Sequence, residues 1–380
     1  MLNPIPTESI QIKNIEAYVY RAPISNPIRT SFGTMHDRPA LFVRITDADG
    51  MHGWGEIWCN FPSVGAEHRA KLLMDVFKPT LVNQRFYSPM EAFKLLTHKN
   101  AVLAIQSGEY GPIHQITAGI DIAFWDLFAK RANKPLWNYL GGKNSTIATY
   151  ASGINPDLPE KTIEACLSNQ FTAFKLKVGF DPKKDLGNLI KIRSLIPDHV
   201  LMVDANQAWD PLNAVKHIKS MEQFNLRWIE EPIRADSSLE DWKYVAKNSR
   251  AALAVGENIV GIVNFNQAIS SGIFQVIQPD IAKWGGISEC LAIGKKIIEN
   301  KICYCPHYLG GGIGLLASGH LLAAVGGDGM LEIDINMNPL RSLCCGPLDK
   351  ISNGNVTLTH EPGLGVNIDL NALEKYRIIY

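Results

Sequence analysis

The spacing of apolar and polar residues changes style twice along this chain. In the first 140 residues, IEAYVYRAP (15–23) and ALFVRITDADGMHGWGEIW (40–58) alternate apolar with polar positions. The second stretch flanks the turn signal DADG, so the pair predicts a strand followed by a hairpin. Three stretches at helical spacing follow: SVGAEHRAKLLMDVF (63–77), SPMEAFKLLT (88–97) and ITAGIDIAFWDLFAKRA (116–132). The third sets Ile116, Ile120, Phe124, Leu127 and Phe128 on one side, a face that needs a partner surface. The paired glycines of YLGGKN (139–144) read as a helix stop and a boundary.

From about residue 147, short apolar strands alternate with amphipathic helices. ATYASG, AFKLKVG, HVLMVDAN, LRWIEEP, ALAVGEN, FQVIQPD, ICYCPHY and GMLEIDI are strand candidates, with helical stretches such as DLGNLIKIRSLI and PLNAVKHIKSMEQF between them. Asp181-Pro182 before the first of these fits an N-cap with proline at the first helical position. Repeated β then α argues for a parallel sheet, and eight such units argue for a modified (β/α) barrel. The fold class is therefore α/β: an α+β domain over residues 1–140, a modified TIM barrel over 141–338, and a turn-rich segment over 339–380. That last segment, with NGNVTLTHEPGLGVNI, is expected to pack back on the first domain.

Composition narrows the function classes. Of 380 residues, 46% are hydrophobic and 19% charged, and Lys+Arg and Asp+Glu both total 37. That balance offers no basic surface for nucleic acid and no charged face for a membrane. The N-terminus lacks the basic-then-apolar pattern of a signal peptide, and no apolar stretch approaches a membrane span. Seven irregularly spaced cysteines without a secretory signal read as reduced thiols of a cytoplasmic protein. Cys344 and Cys345 read as packing residues.

One ionisable residue closes almost every strand candidate: Lys177, Asp204, Glu230, Glu257, Asp280, His307 and Glu332, at gaps of 27, 26, 27, 23, 27 and 25 residues. In a barrel, strand C-termini share one rim, and that rim carries the active site. Asp204, Glu230 and Glu257 converge from neighbouring strands and repel one another unless a cation joins them. Three carboxylates without Cys or His favour a hard ion, Mg²⁺. Lys175 and Lys177 share a strand face that looks into the mouth. Two neighbouring ammonium groups, desolvated there, are expected to have lowered pKa values, which fits a base. Asp280 is placed to orient His307 as a second acid/base. The run Gly310-Gly311-Gly312-Ile313-Gly314 offers either an anion cradle or, more simply, a close backbone approach.

These residues in this order resemble the enolase superfamily, and within it the mandelate racemase subgroup, over nearly the whole chain. The match comprises the Lys175-x-Lys177 pair, Asp204 in VDANQ, Glu230 in WIEEP, Glu257 in GEN, Asp280 and Lys283 in PDIAKWGG, His307 in CPHY and Glu332 in LEID. The resemblance implies a capping domain on a modified barrel, a symmetric homo-oligomer and a small carboxylate substrate chelated to Mg²⁺. It implies that Lys177 or His307 removes the proton α to the carboxylate. Lys175, Glu332 (as a protonated hydrogen-bond donor) and the metal would stabilise the enediolate, with Asn206 and Lys283 beside the carboxylate. The muconate-cycloisomerase and dipeptide-epimerase branches usually carry lysine where this chain has Asp280, a departure that argues against them.

Most activities of the subgroup are dehydrations of acid sugars, so the resemblance implies a 2-keto-3-deoxy acid product. A racemase or epimerase uses the same residues and stays open, as does a non-catalytic relative, although no ligand or base is missing. The polar stretch YRAPISNPIRTSFGTMHDRP adds Arg21 and Arg29 as candidate contacts to a distal carboxylate. Thr30, Ser31 and His36, and Trp58, Cys59 and Asn60 of the second loop, are further candidates.

Overall fold

The computed structural model describes residues 9–29 and 33–380, with backbone alone at Asn26 and Arg29. The N-terminal domain carries a sheet of β1 (Ile10–Arg29), β2 (Thr34–Asp47), β3 (His52–Ile57) and β4 (Arg85–Phe86), in the order β3-β2-β1-β4. All its pairs are antiparallel. The DADG turn forms as expected. Asp47 Oδ1 accepts the amides of Asp49 and Met51, and Gly50 takes the left-handed φ of 88° that the turn requires.

The Tyr110–Arg131 helix covers one face of this sheet. It buries Ile116, Ile120, Phe124, Leu127 and Phe128, as their spacing predicts. Contact is backbone to backbone. A Cβ at Gly55 would lie 2.0 Å from the Gly119 carbonyl oxygen, and one at Gly53 would lie 2.1 Å from that of Ala123. Only glycine permits that approach.

Eight parallel strands form the barrel: β5 (Thr146–Ile154), β6 (Ala173–Lys177), β7 (Val200–Asp204), β8 (Ile229–Glu230), β9 (Leu253–Val255), β10 (Val276–Ile277), β11 (Cys303–Tyr304) and β12 (Met330–Asp334). Seven lie inside one of the eight apolar stretches read from the sequence, and β5 overruns ATYASG (148–153) at both ends. The ladder runs β11-β10-β9-β8-β7-β6-β5-β12 and does not close between β11 and β12 among the described residues. There the Met330 amide donates to Cys305 Sγ at 3.4 Å. Tyr150, Ala173, Met202, Trp228, Ala254, Val276, Cys305 and Met330, each on one of the eight strands or the residue next to it, pack together as a core cluster of their own. Several strands are only two or three residues long. Beyond β7 and β8 the backbone turns left-handed at Asn206, Gln207 and Glu231, which ends the regular ladder there. A short strand β13 (Asn355–Thr357) pairs antiparallel with β5, and the Ile378 amide donates to the Val19 carbonyl of the cap.

The cap holds the barrel chiefly through buried carboxylates aimed at helix N-termini. The Gly286–Glu299 and Gly312–Val325 helices have no side-chain cap of their own. Asp121 of the Tyr110–Arg131 helix accepts the amide and hydroxyl of Ser288 in the first. Glu56 of β3 accepts the amides of Gly311 and Gly314 at the start of the second, and the Tyr308 hydroxyl bonds it too. The orphan amides of a helix N-terminus and its dipole both favour a carboxylate there. Asp126 accepts the amides of Trp54 and Leu364, tying sheet, helix and C-terminal segment together. Arg38, 1% exposed, donates to Asp334 at 2.6 Å at the carboxyl end of β12.

Burial pushes the carboxyl of Glu56 up to about 7, against the lowering effect of its hydrogen bonds, and burial pushes Asp121 to about 7 as well. A carboxyl whose pKa is raised by folding contributes stability that is full below its unfolded pKa and lost as pH rises through the folded one. Denaturant unfolding from pH 4.5 to pH 8 should therefore show stability falling. Glu56→Gln should remove up to about 3 kcal/mol of that fall, since each pKa unit is worth about 1.4 kcal/mol. An unchanged pH dependence in the variant would exclude Glu56 as its source.

Candidate active site

Strand alternation directs Lys175 and Lys177 of β6 into the barrel mouth, while Phe174, Leu176 and Val178 pack outward in the main core. Lys175 is 1% exposed. Its Nζ lies 2.7 Å from Glu230 Oε2 and 2.7 Å from Glu332 Oε1, above the Tyr150 ring. Lys177 Nζ lies 2.5 Å from Asp204 Oδ2 and 2.8 Å from Asn206 Oδ1. Asp204 sits beside Glu230 in the β7–β8 register, so strand pairing itself sets these two carboxylates side by side.

The other half of the mouth centres on His307, 6% exposed. Its Nδ1 lies 2.8 Å from Asp280 Oδ2 and its Nε2 2.5 Å from Glu257 Oε2. An imidazole with a carboxylate oxygen at each nitrogen carries a proton on both. Asp280 is fixed in turn, its Oδ1 accepting the amides of Ala282 and Lys283. Glu332 Oε2 stands 3.9 Å from His307 Nε2. Lys283 Nζ bonds Asn258 Oδ1 at 3.2 Å, lies 3.7 Å from Glu257, and sits over the Trp58 ring.

Two expectations about proton affinity are corrected. Burial does lower the lysines' affinity, but carboxylates outweigh it. Glu230 and Glu332 hold the Lys175 pKa well above the ordinary value, and Asp204 raises that of Lys177. The sequence shows the two ammonium groups as neighbours and conceals the acids facing them. The expected direction is reversed for Glu332 as well. Burial favours its acid form, but Lys175 and His307 pull its pKa below the usual value. His307 is also raised well above an ordinary histidine, because Glu257, Glu332 and Asp280 overcome its burial.

The three carboxylates expected to hold a cation are apportioned among basic partners: Asp204 to Lys177, Glu230 to Lys175 and Glu257 to His307. Among the described residues no group of three or more His, Cys, Asp or Glu side chains stands ready to hold a metal. Their chemistry nevertheless fits a hard divalent ion. Five carboxylates (Asp204, Glu230, Glu257, Asp280, Glu332) share the mouth with four basic groups (Lys175, Lys177, Lys283, His307). Burial first, and then Asp204, Glu332 and Glu257, push Glu230 up to about 7 even with Lys175 beside it. That surplus of oxygen donors and negative charge suits Mg²⁺.

The cap loops divide. Arg21 is committed within the cap, to Glu67 at 2.7 Å, Asp37 at 2.9 Å and the Ser63 carbonyl, and reaches no group of the mouth. The Arg29 side chain, Thr30 and Ser31 lie outside the described residues, and His36 is exposed. Trp58 reaches Lys283, Cys59 is buried packing, and Asn60 donates to the Leu309 carbonyl just past His307. The glycine run does receive an anion, the carboxylate of Glu56. A Cβ at Gly314 would lie 2.1 Å from the Tyr308 hydroxyl, so close approach is the governing need.

Sequence reading missed Ser152, Gln278 and Glu231. Ser152 Oγ donates to Glu332 Oε1 at 2.5 Å and Gln278 Nε2 to Glu230 Oε2 at 2.8 Å. Their only signal was a polar residue on the inner face near a strand end. Glu231, beside Glu230 in WIEEP, is buried at a φ of 39° and accepts Asn258 Nδ2. Burial raises its pKa well above the carboxylate range. A cavity of about 1120 Å³ adjoins the mouth, lined by Asn206, Glu231 and Asn258 but by none of Lys175, Lys177 or His307.

Comparison with known proteins places the chain in a family. Residues 14–141 match the model of the mandelate racemase/muconate lactonizing enzyme N-terminal domain, and residues 159–372 match the enolase C-terminal domain-like model. A crystal structure of a mandelate racemase/muconate lactonizing enzyme from Bordetella bronchiseptica RB50 superposes with a TM-score of 0.92 at 46% identity, over 97% of this chain and all of that one. A racemase from Streptomyces coelicolor A3(2) with bound magnesium superposes at 0.86 and 25% identity, again over 97% of this chain and 100% of its own. Curated relatives include o-succinylbenzoate synthase of Bacillus subtilis (27% identity, 97% of each chain) and D-galactarolactone cycloisomerase of Agrobacterium fabrum (27%, 97% and 99%). Arabinonate dehydratase of Saccharolobus solfataricus is 26% identical over 90% of this chain and 91% of its own. The chain belongs to the mandelate racemase/muconate lactonizing enzyme family of the enolase superfamily.

Proposed function

We propose that this protein removes the proton α to the carboxylate of an acid sugar and expels the 3-hydroxyl, giving a 2-keto-3-deoxy acid with Mg²⁺ as cofactor. The observation that carries the reading is the opposition of Lys177 on β6 and the Asp280–His307 pair beyond β10 and β11. Strands β7 to β10 separate them one way round the barrel, and β5 and β12 the other. Two proton carriers on opposite sides of one mouth, with Lys175 and Glu332 between them, would flank a substrate carbon bound there.

Asp204, Glu230 and Glu257 would hold the ion, which when bound supplies a Lewis acid for the substrate carboxylate. The protein's own groups do the rest. With Asp204 and Glu257 engaged by the ion instead of by Lys177 and His307, one of those two basic groups would give up its proton and take the α-proton, and the other would deliver a proton to the departing hydroxyl. Lys175 is locked by two carboxylates, so its ammonium needs no reorganisation as charge develops on the carboxylate oxygens. Glu332 Oε2 is buried with no hydrogen-bond donor, an acceptor that a substrate hydroxyl would satisfy. That favours a polyhydroxylated acid, and relatives named as an arabinonate dehydratase and a galactarolactone cycloisomerase point the same way. Return of a proton to the same carbon from the opposite side is the second reading, since two carriers across one mouth also suit a racemase.

Turnover in deuterium oxide with Mg²⁺ on mono- and diacid sugars, lactones and aryl hydroxy acids separates these readings. Keto acid without epimer supports dehydration; deuterium at carbon 2 with inverted configuration and no keto acid supports racemisation. Lys177→Ala and His307→Asn should each cost roughly 10²–10⁴ in kcat. The one that also abolishes α-proton exchange with solvent is the base. Lys175→Met should cost about 10²–10³ in kcat, the scale of losing one donor to developing charge. Dialysis against EDTA should abolish turnover and Mg²⁺ restore it; undiminished turnover after chelation would rule out the metal reading.

A further inference from the structure

The inner face of β11 carries three chemically active side chains in succession. Cys303, Cys305 and His307 alternate with Tyr304 and Pro306, so all three point into the barrel, from floor to mouth. The two sulfurs lie 3.6 Å apart and share a hydrogen bond. Cys305 is fully buried, whereas Cys303 keeps solvent access. Arg227 Nη2 lies 4.0 Å from Cys303 Sγ, at the exposed lower rim.

We propose that Cys303 and Cys305 are an oxidisable dithiol, in which a hydroperoxide attacks Cys303 and Cys305 closes a disulfide with it beneath His307.

The chemistry balances in two steps. The Cys303 thiolate attacks one peroxide oxygen; an S–O bond forms, the O–O bond breaks, and the leaving hydroxide or alkoxide takes up a proton. The sulfur has lost two electrons and the peroxide has gained them, leaving a sulfenic acid. The Cys305 sulfur then attacks Cys303; the S–S bond forms, the S–O bond breaks, and the hydroxide leaves as water with the Cys305 proton. The sulfurs are already 3.6 Å apart, but side chains two apart on a strand set their Cβ atoms about 6.6 Å from each other against the roughly 3.5–4.5 Å a disulfide spans, so closing the bond bends β11 between the two cysteines.

The environment separates the roles. The hydrogen bond from Cys305 holds Cys303 below the ordinary thiol pKa, against burial and Asp328, and the Arg227 guanidinium adds to it. That bond together with burial holds Cys305 well above it. Cys59, Cys166, Cys290, Cys344 and Cys345 are all buried and all raised, chiefly by burial, so Cys303 alone has the character of an attacking thiol. The consequence reaches the mouth. Cys305 Sγ is the acceptor for the Met330 amide where the β-ladder is open, and drawing it toward Cys303 loosens that seam two residues below His307.

The test treats the folded, Mg²⁺-loaded chain with hydrogen peroxide and follows it by mass spectrometry with differential alkylation. The expected result is loss of two hydrogens from the peptide bearing both cysteines, reversed by dithiothreitol. Cys305→Ser should instead leave a dimedone-reactive sulfenic acid on Cys303, and Arg227→Gln should slow oxidation several-fold. Free alkylation of both thiols after peroxide would overturn the proposal, as would a disulfide forming at the same rate in Cys303→Ser with any other cysteine. Turnover should fall on oxidation and return with reductant in the unmodified chain, but stay peroxide-insensitive in Cys303→Ser. Full turnover in the oxidised form would overturn the link to His307.

Discussion

A charge taken out of water must find an opposite charge, and the barrel mouth is arranged by that constraint. Removing one partner of a buried pair costs about 3–5 kcal/mol, because the survivor keeps its desolvation penalty. Lys175 illustrates the rule. At 1% exposure its ammonium is bound by Glu230 and Glu332, and those bonds fix the rotamers of all three residues. The chain continues through Lys177 to Asp204 and through His307 to Asp280 and Glu257. The reactive groups are therefore held in place by the same ion pairs that make their burial tolerable, and no loop is needed to position them.

The same constraint joins the two domains. The Gly286–Glu299 and Gly312–Val325 helices begin with amides that their own sequences do not cap. Asp121 and Glu56 reach across from the cap to fill both places. The second of these helices starts five residues after His307, and Tyr308 also bonds Glu56. The cap thus sets the position of the His307 segment from outside the barrel. Arg38 with Asp334 does the same next to Glu332, two residues away on β12.

What remains unsatisfied within this network indicates where chemistry occurs. Glu332 Oε2 is buried without a donor, and the carboxylates of the mouth outnumber its basic groups. Left-handed backbone at Asn206, Gln207 and Glu231 gathers at the ends of β7 and β8, where the Asp204 and Glu230 carboxylates emerge. Such conformations persist only where surrounding structure compels them, and they cluster at functional sites. Surplus oxygen donors, an unpaired acceptor and strained backbone therefore coincide at one rim.

Much of this was legible in the linear chain. Period-two and period-3.6 patterning located the hairpin, the buried face of the Tyr110–Arg131 helix and all eight barrel strands, because burial on one side imposes periodicity on composition. Regular spacing of ionisable residues located the rim, because each βα unit returns the chain to the same end. The proton affinities were not legible. Lys175 and Lys177 are adjacent in sequence and invited a reading of mutual repulsion, yet the groups that govern them lie 27 to 157 positions away. Ser152, Gln278 and Glu231 carried no signal distinct from other polar residues, and Arg21 became a cap brace through Glu67, 46 positions distant. The sequence by itself determined which side chains face the mouth, since side-chain direction follows from local period. Only the tertiary structure decided their charges and partners, since electrostatic energy depends on distance in space and on the water that folding excludes.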